Sequence, residues 1–220
     1  MSTWEQNKPS EVDFWRQWAE SGGLIWPDEF KRRQEPAEPL REAIASLLWP
    51  GRSSYRVLDV GAGPLTVLGK VIPSASLEIV AVDPLAAEYD AILATRGIVP
   101  LVRTTYAKGE ELPFEDNSFD LVHMMNALDH CEHPVQVFGE LMRVVKPGCF
   151  VFLSHATREG QRNGYSGLHQ WDLFVDAFGH LCVTTRSSLS PTDLTFIAGG
   201  TAVIKADDRW HEVAIRKGSA

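Results

Sequence analysis

Arg56-Val57-Leu58-Asp59-Val60-Gly61-Ala62-Gly63-Pro64 is the stretch whose reading decides the fold. Val57, Leu58 and Val60 are β-formers with a single charge among them, as in a strand covered on both faces of a parallel sheet. Gly61 and Gly63 carry no Cβ, so the backbone can turn sharply there and come close to a ligand. Pro64 suits the first turn of a helix, where its missing N–H has no partner to lose. The spacing predicts that helix over Leu65 to Val71, ended by Pro73. Strand, glycine turn and helix together make a nucleotide-type site at the carboxyl end of a strand.

Asp59 narrows the choice of nucleotide. A dinucleotide site calls for a third glycine three residues after Gly63, and this chain has Thr66 there. A carboxylate two residues before the first glycine repels a pyrophosphate but attracts an amino group and a sulfonium. The pattern points away from NAD and toward S-adenosylmethionine (SAM). Leu77 to Asp83 reads as a second strand that ends on an acid. It lies about 20 residues past the glycines, where a carboxylate can accept both ribose hydroxyls. The competing role for Asp83 is a helix N-cap, because Leu85 to Arg96 follows with helical spacing. Further on, Ile98 to Thr104 and Phe119 to Met125 read as strands three and four. A helix over Pro134 to Val145 turns Val135, Phe138, Leu141, Met142 and Val145 inward, and Cys149 to Ser154 is strand five.

Two later runs carry a resemblance. Leu112-Pro113-Phe114-Glu115-Asp116-Asn117-Ser118-Phe119-Asp120 and the junction Leu141 to Gly148 follow the glycine stretch and Asp83 in order over residues 56–155. Together they resemble the motifs of class I SAM-dependent methyltransferases of the methyltransferase type 11 group. The resemblance implies an α/β, Rossmann-like sheet of seven mostly parallel strands with helices on both faces and antiparallel C-terminal strands. It also implies SAM as cofactor, with S-adenosylhomocysteine as product. The cofactor contacts it implies are Asp59, Gly61, Ala62, Gly63, Asp83, Pro84, Leu85, Gly109, Glu110 and Asn126. Lys108 and Gly109 stand where the family has an acid and then a small residue. The Gly109 backbone and the Glu110 carboxylate are the expected substitutes.

The 220 residues suffice for one generous domain, and the net charge of −8 disfavours nucleic-acid phosphates as partners. Cys131, Cys149 and Cys182 are scattered and odd in number, which points to reduced thiols in a cytoplasmic protein without metal-ligand spacing. No apolar run reaches membrane length. Residues 1–50 hold five of the seven tryptophans and form the expected N-terminal helical cap, followed by a SAM-binding domain over 51–220. Glu11 to Glu20 and Leu40 to Leu48 are its helices, the second with Ile44, Leu47 and Leu48 inward; they form a packed layer, a lid over the acceptor, or both. Trp171 to Val175 and Leu181 to Ser187 read as strands, with a helix over Gln170 to Phe178 as the alternative. Thr201 to Lys205 and Trp210 to Arg216 form a hairpin at the sheet edge.

Methyl transfer to a hydroxyl needs alignment and a base near neutral pKa, for which histidine is suited. Five of the seven histidines, His123, His130, His133, His155 and His169, cluster in and after the fourth and fifth strands. His130 and His155 lie near the carboxyl ends of strands four and five. His169 lies in the polar and aromatic run Tyr165 to Trp171, and His123 reads as a core residue inside strand four. Asp129 adjoins His130, but neighbours in sequence do not face each other on a helix. His130, His155 and His169 are the catalytic candidates. The expected activity is SAM-dependent methylation of a small-molecule or glycan acceptor at oxygen. The rival is a SAM-fold protein that binds without catalysis. No Gly-x-Ser-x-Gly elbow supports a hydrolase.

Overall fold

The computed structural model describes residues 3–198 and 202–218. Helices α1 (Thr3–Ser21), α2 (Pro27–Arg33) and α3 (Glu42–Ala45) precede strands β1 (Ser54–Val60) and β2 (Ser76–Val82). Then come α4 (Ala86–Thr95), β3 (Thr104–Thr105), β4 (Phe119–Met125), a 3-10 turn at Leu128–His130, α5 (Pro134–Val144) and β5 (Val145–Ala156). The remaining elements are α6 (Glu159–Arg162), β6 (Asp172–Val175), β7 (Leu181–Thr184), β8 (Thr192–Asp193), α7 (Leu194–Ala198), β9 (Ala202–Ala206) and β10 (Trp210–Arg216).

Seven strands form one sheet in the order β3-β2-β1-β4-β5-β10-β9. The five on the β3 side pair in parallel, and β10 runs antiparallel to both β5 and β9. The order reverses between β1 and β4, so their carboxyl ends open a crevice of the kind that binds ligands in doubly wound sheets. Alternation along β1 separates two cores. Leu58 and Val60 join α5 and a small antiparallel sheet, β6-β7-β8, on one face. Val57 faces Leu40, Ile44 and Leu48 on the other. A third cluster joins Trp18 and Ala19 of α1 to Tyr89, Ile92 and Leu93 of α4. Each such buried large side chain contributes about 1.5–3 kcal/mol.

Several elements differ from the sequence expectation. Leu65 to Val71 is not a helix. The Leu68 N–H goes to Thr66 Oγ1, and the Lys70 and Val71 N–H groups donate to the Glu38 carbonyl, so donors that a helical ladder needs are engaged elsewhere. Gly69 makes this possible, since a Cβ there would stand 2.0 Å from the Pro39 carbonyl oxygen. Strand three shrinks to Thr104–Thr105, because Pro100 interrupts the run and Val99 is exposed. The helix over Leu40 to Leu48 is four residues followed by tight turns. α1 is longer than expected and runs through Pro9. On α5 Val135 points outward, and Val137 and Val144 join Phe138 and Leu141 in the core. The C-terminal hairpin is as expected from Ala202; Thr201 lies outside the described residues. Among the described residues no helix is long and apolar enough to cross a membrane.

Candidate active site

At the carboxyl ends of β1, β2 and β4 lies a cavity of about 730 Å³, lined among others by Asp59, Gly61, Ala62, Asp83, Asn126, His130 and His169. One wall is the glycine turn. Gly61 and Gly63 have φ of +68° and +65°, and a Cβ on Gly61 would lie 2.4 Å from the Ala127 side chain. The turn therefore needs glycine for both conformation and space. Asp59, at its base, is 1% exposed and is held by Thr66 Oγ1 and by His123 Nδ1 at 2.7 Å. His123 also stacks on Phe152, which makes it the core residue expected.

Asp83 follows β2 and is 7% exposed. Its Oδ2 accepts the Gly63 N–H at 3.2 Å and its Oδ1 the Leu85 N–H at 2.9 Å. The carboxylate thus serves the glycine turn and the start of α4 together, and Tyr89 adds a side-chain hydrogen bond. Burial raises its pKa to about 6, against the pull of these hydrogen bonds, and the charge of Glu11 adds to the rise. Glu11 arrives from α1. That helix is pinned by the edge-to-face contact of Trp15 with Tyr89, by Trp18 on Phe30, and by Arg33 over Trp18. Trp15 sits over the glycine turn, 3.1 Å from where a Gly63 Cβ would be. Lys108 lies 5.8 Å from the Trp4 ring.

The opposite wall gathers charge differently. His169 Nδ1 lies 2.8 Å from Asp129 Oδ2 and 3.1 Å from His130 Nε2. The two imidazoles meet edge to face at 4.5 Å. Burial works against the charged form of His169, but the hydrogen bond and charge of Asp129 outweigh it and raise its pKa. Burial would likewise raise Asp129, yet the charges of His130 and His169 and the His169 hydrogen bond outweigh it and lower its pKa. His130 Nδ1 is 4.0 Å from Glu11 Oε2, so α1 touches both walls.

Residues 58–153 match a family model described as a methyltransferase domain. Over this segment the chain is a class I methyltransferase domain. It is 33% identical over 168 residues to an uncharacterized methyltransferase of Mycobacterium sp. (strain JLS), covering 70% of this chain and 65% of that protein. It is 36% identical over 116 residues to an uncharacterized methyltransferase of Schizosaccharomyces pombe, covering 48% of this chain and 41% of that protein. Across such curated relatives this chain spans between 41% and 65% of their length. Among solved structures, a SAM-dependent methyltransferase of Methanosarcina mazei aligns over 82% of this chain and 99% of that one, with 14% identity and a TM-score of 0.47.

Of the expected cofactor contacts, Asp59, Gly61, Ala62, Asp83, Pro84, Leu85, Gly109, Glu110 and Asn126 line this cavity, whereas Gly63 does not and is covered by Trp15. Asn126 adopts a left-handed φ of +47° and accepts the Ala156 N–H at 3.1 Å. Glu110 Oε1 accepts the N–H groups of Glu132 and His133, at 3.0 and 3.3 Å. His155 departs from its expected role. It is 1% exposed, does not line the cavity, and burial followed by the charge of His211 pushes its pKa down to about 3. It is a neutral core residue beside His211. Sequence reasoning missed Glu11, Tyr89, Glu159 and the link from Asp129 to His169. Glu11 sits a turn before Trp15 on the predicted helix, a signal that was present but had no partner in sequence.

Proposed function

We propose that the chain moves a methyl group from SAM to a hydroxyl of a small-molecule or glycan acceptor. The observation that carries this is one cavity lined by Gly61, Ala62 and Asp83 together with His130 and His169, the latter held by Asp129. Its volume of about 730 Å³ falls in the range of small-ligand sites. The net charge of −8 supports a small acceptor over nucleic acid, and three free thiols support a cytoplasmic setting.

The bound cofactor supplies an electrophilic methyl on a sulfonium. Asp83 is the group to accept ribose hydroxyls; a carboxylate offers about four acceptor sites and three are in use, so Tyr89 yields its hydrogen bond for both hydroxyls to be held. The backbone of Gly61, Ala62 and Gly63 would hold the aminoacyl part, with the Asp59 carboxylate as countercharge to its amino group. Pro84 and Leu85, with Gly109 and Glu110, would hold the base, and Asn126 also lines the cavity. His169, oriented by Asp129, is placed to take the acceptor proton, with His130 beside it. Residues 1–50 act as a lid through Glu11, Trp15 and Trp4, ahead of the binding domain over 51–220.

A second reading, a SAM-fold protein that binds without turnover, draws on Trp15 lying against the glycine turn and on the filled hydrogen bonds of Asp83. Calorimetric titration with SAM and, in parallel, NAD tests both on wild type and on Asp83→Ala. Saturable SAM binding lost in Asp83→Ala supports the cofactor site, and NAD binding without SAM binding overturns it. Transfer to hydroxylated metabolites then separates the enzyme from the inert binder.

A further inference from the structure

The acceptor wall has a feature that proton sharing does not explain. Three atoms, Asp129 Oδ2, His130 Nε2 and His169 Nδ1, converge with separations of 2.8, 3.1 and 3.5 Å. Each ring nitrogen has one in-plane position, held by a proton or by a lone pair. If His169 Nδ1 carries a proton toward Asp129, it cannot also accept from His130 Nε2. If it carries none, two lone pairs face each other across 2.8 Å. A single proton serves both contacts only as a bent three-centre hydrogen bond. In addition Asp129, 2% exposed, has a second oxygen, Oδ1, with no hydrogen-bond partner among the described residues.

A cation removes the conflict, because it accepts all three lone pairs at once. Ligands about 2.1 Å from one ion stand about 3.0 Å apart at right angles and about 3.4 Å apart at tetrahedral angles. The observed triangle spans that range. We propose that Asp129, His130 and His169 form a site for a first-row divalent metal ion, with its open positions toward the cavity.

Two imidazoles and one carboxylate suit ions of borderline softness such as Zn²⁺, Fe²⁺ or Mn²⁺ better than Ca²⁺ or Mg²⁺, which prefer oxygen. Three protein ligands leave room for groups from the cavity side, where His130 and His169 both open. Glu159 also borders the cavity, and its Oε2 is buried without a partner among the described residues. It is an acid positioned to neutralise the ion or to hold a water bound to it. The acceptor class narrows accordingly, to molecules whose hydroxyl, alone or with a neighbouring oxygen, can bind a metal. This narrowing rests on the methyltransferase reading, whereas the metal site does not. It also replaces free imidazole as the group that meets the hydroxyl.

The test is a titration of Co²⁺ into the chelator-treated full-length protein, followed by the visible ligand-field absorption of the bound ion. One saturable Co²⁺ per chain is expected. His169→Ala and Asp129→Asn should each weaken it by more than about tenfold. His133→Ala, which removes an exposed histidine outside the cluster, should leave it unchanged. His169, with a side chain 27% exposed, carries the test even where Asp129→Asn fails to fold. Absence of saturable binding, or equal affinity in wild type and His169→Ala, overturns the site. SAM titration of the wild type keeps the two readings apart: SAM binding without Co²⁺ binding sinks the metal site alone, and Co²⁺ binding without SAM binding sinks the cofactor reading alone.

Discussion

Asp83 lines the crevice while Asp129 reaches it only through His169, and both carboxylates are almost wholly buried, at 7% and 2% exposure. Burial pushes both toward the neutral form, yet Asp83 is raised to about 6 while Asp129 ends below the ordinary carboxylate value. Their neighbours account for the difference. Asp83 has two backbone N–H groups, a tyrosine hydroxyl and a second acid, Glu11. Asp129 has two imidazoles that can carry positive charge. Depth alone does not decide charge; the charge of the partners does. On the proposed reading, the Asp83 side accepts hydrogen bonds from a neutral diol and the Asp129 side holds positive charge, as protons or as a metal ion.

The comparison breaks most visibly if the Asp129 wall is inert. His169→Ala should slow methyl transfer by about 10²–10⁴, measured in single turnover with SAM in excess. Rates within a factor of two of wild type would leave only proximity. Next in size, Asp83→Ala should weaken SAM binding about 100-fold by calorimetry, the scale of two hydrogen bonds to a charged group. In wild type the same binding should strengthen from pH 5 to pH 7, as Asp83 ionises near 6. A flat profile would show that its charge is not used.

A third expectation concerns stability. His155 and His211 are held neutral, at about 3 and about 4. Below the ordinary histidine value of about 6.5 the unfolded chain takes up protons that the folded chain refuses, so stability falls as pH falls. Each costs about 2 kcal/mol at pH 5 relative to pH 7. Asp83 acts in the opposite sense, since its raised folded pKa favours the native state as pH falls through 6, by about 1.4 kcal/mol at pH 5. The net loss is about 2–3 kcal/mol, and His155→Phe should remove most of it in urea unfolding at the two pH values. The smallest expected effect sharpens the Asp83 side. Glu11→Gln should move the midpoint of the SAM pH profile down by less than about one unit, because the acid that adds to the rise is gone.

The parallel strands and the Asp83 position were legible because their signals are local: β-former runs, two glycines, an acid at a strand end. The elements that differed failed for one reason in each case. Leu65 to Val71 carries helix-compatible residues, but its N–H groups find partners across the chain at Glu38 and locally at the Thr66 hydroxyl. Val135 and Val137 are alike in composition, and only the packing of α5 shows which turns inward. His155 has the strand-end position of a catalytic residue and a buried environment that sequence does not display.

Sequence by itself determined the family, the order of the first five strands and the glycine turn, since each rests on residues within a few positions of one another. Tertiary structure alone decided what the turn faces and what the second wall can do. α1 reaches over the cavity to bring Glu11 beside Asp83 and Trp15 against Gly63. His169 comes from a loop 39 residues beyond His130 to complete a three-atom cluster. Such contacts depend on distance in space, and distance along the chain carries no trace of them.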